Sequence, residues 1–270
     1  MKPHPLRAAA PDEILLNDAA STCDPATSLL HGHSIFELPS VANADECDLL
    51  RAAASAAALK ARQTHDPKHR GEPSPAFEPG VQCVRMPAKV MLDADCKMLC
   101  EALLLRALSA LEEALPLVSN LLFGGDQIAS FFGNDQLCYS PGEPAINVYG
   151  TGGSFLPHED NEALTVLFNL SSDREYSGGG TSFWSLDDLR KASSRAQSEC
   201  AGSSTSELAS HVPPRLVVRP PMGTALFFCG QVTHAAARIA AGERCVFVAS
   251  FTTARSPPVR RRALRECDTG

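Results

Sequence analysis

Residues 145–170 read AINVYGTGGSFLPHEDNEALTVLFNL, and this stretch decides the fold. Ala145–Tyr149 alternates apolar and polar residues as a strand does, and Gly150, Gly152 and Gly153 then force a turn. Residues 164–170 form a continuous apolar run of the kind found in strands buried on both faces. Between them lies His158-Glu159-Asp160. Residues two apart on an extended segment point the same way and lie about 6.6 Å apart along it. The imidazole of His158 and the carboxylate of Asp160 can therefore converge on one ion. A lone H-x-D is a weak signal, because most such pairs are surface polar residues. With one more imidazole it becomes the two-His-one-carboxylate face of non-haem Fe(II) sites, which leaves positions open for substrate and oxygen.

Downstream, further short strands are separated by glycine and proline. Gly178-Gly179-Gly180-Thr181-Ser182-Phe183 lacks the Lys-Ser/Thr and the following helix of a phosphate loop, and fits a tight turn entering a strand. Arg219-Pro220-Pro221-Met222-Gly223 turns into Thr224-Ala225-Leu226-Phe227-Phe228, and His234 lies six residues past Phe228. Arg244, ten residues beyond His234, opens the strand Cys245–Thr252. A guanidinium suits bidentate binding of a carboxylate. Where a metal chelates one end of a dicarboxylate, such an arginine can hold the other end.

In order and spacing, these motifs resemble the catalytic domain of the 2-oxoglutarate/Fe(II) dioxygenases, above all their prolyl 4-hydroxylase-like branch. Tyr149 stands nine residues before His158, as in that branch. Thr165–Leu170, Gly178–Phe183, Pro220–Phe228, His234 and Arg244 match the family's remaining motifs, and the helix expected at 44–60 is similar to its N-terminal support helix. The resemblance spans about 36–254. It implies a mainly β protein with N-terminal helices, a double-stranded β-helix or jelly roll. It implies Fe(II) held by His158, Asp160 and His234, with 2-oxoglutarate and O2 as co-substrates and Arg244 as the anchor of the distal carboxylate. Tyr149 would hydrogen-bond 2-oxoglutarate, although a core aromatic is an equal reading. Asn147, on the same face, would line the cavity. The chemistry implied is hydroxylation of a C–H bond with release of succinate and CO2. Ascorbate as reductant follows by family analogy alone. Asp160 favours hydroxylation, since related halogenases lack this carboxylate. Prolyl hydroxylases usually carry lysine where this chain has Arg244. Sister families carry arginine, so the substrate stays open among peptidyl proline, another protein side chain and a small molecule. A zinc-dependent hydrolase or cupin-type metal protein, or a non-catalytic binding module on the same fold, are the alternatives.

The rest of the 270-residue chain sets boundaries. Residues 1–33 read as an irregular extension, and His31-Gly32-His33 as an exposed pair rather than a ligand site. Residues 34–254 form the catalytic domain, with supporting helices over 44–120 and the jelly-roll segment over about 140–254. Asn43-Ala44-Asp45-Glu46 predicts a capped helix start. Leu104, Leu108, Leu111 and Leu115 form the stripe of a second helix, which Pro116 is expected to end. Residues 62–80 are a proline-rich loop, 185–212 a Ser- and Ala-rich flexible insertion, and 255–270 a basic tail. The apolar content of 44 % permits a real core, and the formal charge of −7 gives no sign of a nucleic-acid partner. No stretch approaches the roughly 20 apolar residues of a membrane helix. The N-terminus lacks a signal-type apolar run, so a cytoplasmic protein without membrane attachment is expected. Ten cysteines without a C-x-x-C read as mostly buried, reduced thiols.

Overall fold

The computed structural model describes residues 11–17, 23–63, 83–125, 131, 136–196 and 205–253. The N-terminal half supplies β1 (Asp12–Leu15), α1 (Pro25–Leu30), β2 (Ser34–Leu38), α2 (Ala44–Gln63), β3 (Cys83–Pro87), α3 (Ala88–Met91), α4 (Ala94–Ala114) and α5 (Pro116–Phe123). Then follow β4 (Leu137–Tyr139), β5 (Ala145–Tyr149), β6 (Phe155–His158), β7 (Leu164–Asn169), β8 (Tyr176–Gly178) and β9 (Thr181–Phe183). Two helices, α6 (Leu186–Ala196) and α7 (Thr205–Ala209), precede β10 (Leu216–Val218), β11 (Ala225–Phe228), β12 (His234–Ala236), β13 (Ile239–Gly242) and β14 (Arg244–Thr253).

The strands form two facing sheets, the expected jelly roll without a closed barrel. The larger runs β1-β2-β11-β7-β14-β5-β3 with β4 attached to β14, and the smaller runs β10-β9-β12-β6. Every pairing is antiparallel, and β13 and β8 make a separate two-stranded ribbon.

Alternation explains why the strands read as unbroken apolar runs. Val166 and Phe168 of β7, Phe227 of β11 and Phe247 and Phe251 of β14 join a core shared with α2 and α4. Their neighbours Leu167, Leu226, Phe228 and Val246 join a second core with Phe155 and Phe183 of the smaller sheet. Each central strand is covered on both faces. The helices start where the sequence indicates. Asn43 Oδ1 accepts from the Glu46 amide and Glu46 Oε2 from the Asn43 amide, both at 2.9 Å, a reciprocal capping box. Glu46 also pairs with Arg106 of α4 at 2.9 Å, tying the two support helices together.

Three expectations change. Pro116 ends no helix but starts one: α4 stops at Ala114, and Pro116 takes the first position of α5, where its missing N–H is not needed. The extension 1–33 is not irregular throughout, because β1 pairs with β2 from Asp12↔Glu37 to Leu15↔Ser34 and Leu16 is buried. Within the stretch 185–212, expected as a flexible insertion, the described residues include the two helices α6 and α7, and 197–204 lie outside the described residues. Leu189 of α6 and Leu208 and Ala209 of α7 bury themselves with Trp184 and Ala235, and the Trp184 indole donates to the Val212 carbonyl at 2.7 Å. The tail 255–270 and most of the loop 62–80 lie outside the described residues.

Candidate metal centre and anion pocket

His158 is the last residue of β6 and His234 the first of β12, and the two are direct partners in the antiparallel register. Their ring centroids are 4.3 Å apart. The chain turns immediately after His158, with Asn161 in the left-handed region at φ 59°, which asparagine tolerates better than most residues. This turn returns the Asp160 carboxylate toward both rings, with Oδ1 3.5 Å from His158 Nε2 and Oδ2 3.6 Å from His234 Nε2. One ligand atom from each of the three residues lies within 4.8 Å of the others.

The protonation states suit a cation. His158 Nδ1 contacts the Leu156 carbonyl and His234 Nδ1 the Val232 carbonyl, each at 2.9 Å. A carbonyl can only accept, so both Nδ1 atoms donate and both Nε2 atoms face the site. Burial pulls His234 down to about 4, so it is neutral at physiological pH and its contact with Asp160 is no ion pair. Burial pushes Asp160 up, but the two imidazoles and a 2.6 Å hydrogen bond from Thr165 outweigh this and hold it below the usual carboxylate range. Two imidazole nitrogens and one carboxylate are a donor set for a divalent first-row metal.

Arg244 lies on the inner face of β14 directly opposite Tyr149 of β5. It is 1 % exposed, yet among the described residues no carboxylate pairs with it. Nη1 donates to the Gly180 carbonyl at 2.9 Å and Nη2 to the Thr181 hydroxyl at 3.2 Å, while Nε has no partner. Gly180 must be glycine for this: its φ is 111°, and a Cβ would sit 2.9 Å from the Val218 carbonyl. Burial pulls the guanidinium below its usual range, opposed by Tyr176 and Tyr149; arginine nevertheless remains charged. A buried, unpaired cation is costly unless an anion joins it.

The same cavity wall carries Arg244, Tyr149, Asn147 and the three metal-type ligands. Tyr149 is buried in the inner core beside Arg244, and burial pushes its phenol far up, so it stays protonated and can donate. Asn147 is buried with Oδ1 unpartnered. All six residues singled out in the sequence thus come together. Three others were missed. Tyr176 reaches Arg244 from β8. Arg85 of β3 and Glu143, before the Glu143–Pro144 bond, form an ion pair in the same cavity wall. No local pattern marks Arg85, because its strand pairing with Asn147 is tertiary. His31 and His33 pack edge-on against each other, apart from this group.

No protein-family model matches the sequence, and no curated protein matches it either. Solved structures do match. The non-haem α-ketoglutarate-dependent carbocyclase SnoK of nogalamycin biosynthesis is 15 % identical, with 87 % of this chain and 86 % of that chain covered and a TM-score of 0.51. AviO1 from Streptomyces viridochromogenes Tue57 is 15 % identical over 92 % of this chain and all of that one, TM-score 0.48. A Pseudomonas putida prolyl-4-hydroxylase is 14 % identical over 84 % of this chain and 98 % of that one, TM-score 0.44. At these identities the likeness to SnoK shows a shared fold, the jelly roll described above.

Proposed function

We propose that this protein is an Fe(II)- and 2-oxoglutarate-dependent dioxygenase that hydroxylates a C–H bond and releases succinate and CO2. The observation that carries this reading is the pairing of two features in one cavity: a His-Asp-His ligand set and a buried guanidinium with no carboxylate partner among the described residues. His158, Asp160 and His234 would hold the metal through Nε2, one carboxylate oxygen and Nε2. Arg244 would take the distal carboxylate of 2-oxoglutarate, with Nε as its uncommitted donor, and the protonated Tyr149 would donate a second hydrogen bond. Asn147 would add its amide from the same strand face. Phe155, Leu167 and Val246 line the cavity and would exclude water, which strengthens every charge–charge contact there. When bound, Fe(II) supplies the oxygen activation coupled to decarboxylation of 2-oxoglutarate.

The substrate class remains as broad as the sequence left it: a protein side chain, peptidyl proline included, or a small molecule. Ascorbate belongs in the assay as reductant. A zinc hydrolase would use the same three ligands but has no task for Arg244, which is why the dioxygenase is preferred. No described helix is long and apolar enough to cross a membrane. The test is succinate release with Fe(II), O2 and a substrate panel. Turnover that needs both iron and 2-oxoglutarate supports the reading, and hydrolysis supported by Zn(II) without 2-oxoglutarate overturns it.

A further inference from the structure

Behind Asp160 lies a chain of buried polar groups. Thr165 of β7 and Ser250 of β14 are cross-strand partners, both fully buried on the inner face of the larger sheet. The Thr165 hydroxyl lies 2.6 Å from Asp160 Oδ2 and 3.2 Å from the Ser250 hydroxyl. A hydroxyl has one proton, and an ionised carboxylate can only accept. Thr165 therefore donates to Asp160, and Ser250 donates to Thr165. The Ser250 amide in turn donates to the Glu143 carboxylate, which also accepts from the Arg85 guanidinium. Glu143 and Arg85 are themselves largely buried, with side-chain exposures of 4 % and 14 %.

We propose that Thr165 is a positioning residue for the metal carboxylate, held in place by Ser250 and, behind it, by the Glu143–Arg85 pair. The proposal rests on the metal-site reading above. Its consequence is chemical. With Oδ2 engaged by the Thr165 proton, Oδ1 would be the freer oxygen for a metal, and the carboxylate would be biased toward binding through one atom. A carboxylate using both oxygens would fill a further coordination position, one that co-substrate and oxygen require. Valine has the shape and strand preference of threonine without the hydroxyl, so the strand position alone does not call for this residue.

The experiment compares wild type, Thr165→Val, Thr165→Ser and Ser250→Ala as full-length apo-protein. Fe(II) affinity is titrated anaerobically, and the visible spectrum of the Co(II) form reports the coordination geometry. Circular dichroism establishes that each variant is folded. Loss of a partner of a ligand typically weakens metal binding about 10–100-fold. That loss is expected for Thr165→Val together with an altered Co(II) spectrum. Thr165→Ser should restore both, and Ser250→Ala should weaken binding less than Thr165→Val. A folded Thr165→Val that binds Fe(II) like wild type, with an unchanged Co(II) spectrum, overturns the positioning role and leaves the metal site standing. If Thr165→Val does not fold, Ser250→Ala decides: unchanged affinity and spectrum there overturn the relay. Wild-type protein that binds neither ion overturns the metal-site reading and this proposal with it.

Discussion

His158 and His234 face each other as register partners at the adjoining ends of β6 and β12. The smaller sheet thus fixes two of the three ligands with backbone hydrogen bonds, and the short turn to Asp160 adds the third. Preorganisation of this kind predicts that a ligand can be removed without loss of the fold. His158→Ala, Asp160→Ala and His234→Ala should each keep the wild-type circular dichroism spectrum and lose Fe(II) affinity by more than about 100-fold, the upper end for loss of mere ligand partners. Anaerobic metal titration measures this. An Asp160→Ala protein with wild-type affinity would contradict the assignment.

The thiols give a prediction about compartments within the molecule. Burial pushes Cys47 up to about 11 and Cys100 and Cys245 up to about 12, whereas Cys23 and Cys138 are exposed. The thiolate is the nucleophile, so at pH 8 iodoacetamide should modify Cys23 and Cys138 and spare the other three until the protein is denatured. Peptide mass spectrometry reads the result. Labelling of Cys100 in folded protein at the rate of Cys138 would contradict the packing of α4 against the sheet.

The docking of α6 and α7 is tested through Trp184. Truncating a buried aromatic typically costs about 3–5 kcal/mol, so Trp184→Ala should lower unfolding stability by that order in a urea titration. Trp184→Phe, which loses chiefly the indole bond to Val212, should cost about 1 kcal/mol. Wild-type stability in Trp184→Ala would mean that these helices do not hold to the sheet.

The misreading of 185–212 has a physical cause. Its apolar content is thin, and Leu189 and Leu208 become a core only when they meet Trp184, just past β9, and Ala235 of the distant β12. Local composition therefore cannot show that core. β1 is similar: three of its four residues are exposed, and its pairing with β2 is a tertiary event. The jelly roll was legible because Val166 and Phe168 face the helices while Leu167 faces the second sheet, which leaves an apolar run no surface strand would have. The metal and anion residues were legible because each sits at a strand end or beside a turn, where motif spacing is kept. Arg85 and Glu143 line the same cavity and Tyr176 reaches Arg244, from segments with no shared spacing, so only the folded chain brings them together.

Whether Arg244 anchors 2-oxoglutarate beside the metal is decided by anaerobic titration of 2-oxoglutarate into the Fe(II)-loaded protein. Hydrogen bonds to charged groups contribute roughly 1.5–3 kcal/mol each. Arg244→Ala should therefore raise the dissociation constant about 10- to 150-fold, at 1.4 kcal/mol per decade. Arg244→Lys should retain part of the affinity, keeping the charge and losing the bidentate geometry. Fe(II) affinity without 2-oxoglutarate should be unchanged in both, because Arg244 is not a ligand. Saturable one-to-one binding to wild type is expected, stronger than to Arg244→Lys and stronger still than to Arg244→Ala. Folded Arg244→Ala protein that binds 2-oxoglutarate as tightly as wild type, or wild-type protein that does not bind it at all, would contradict it.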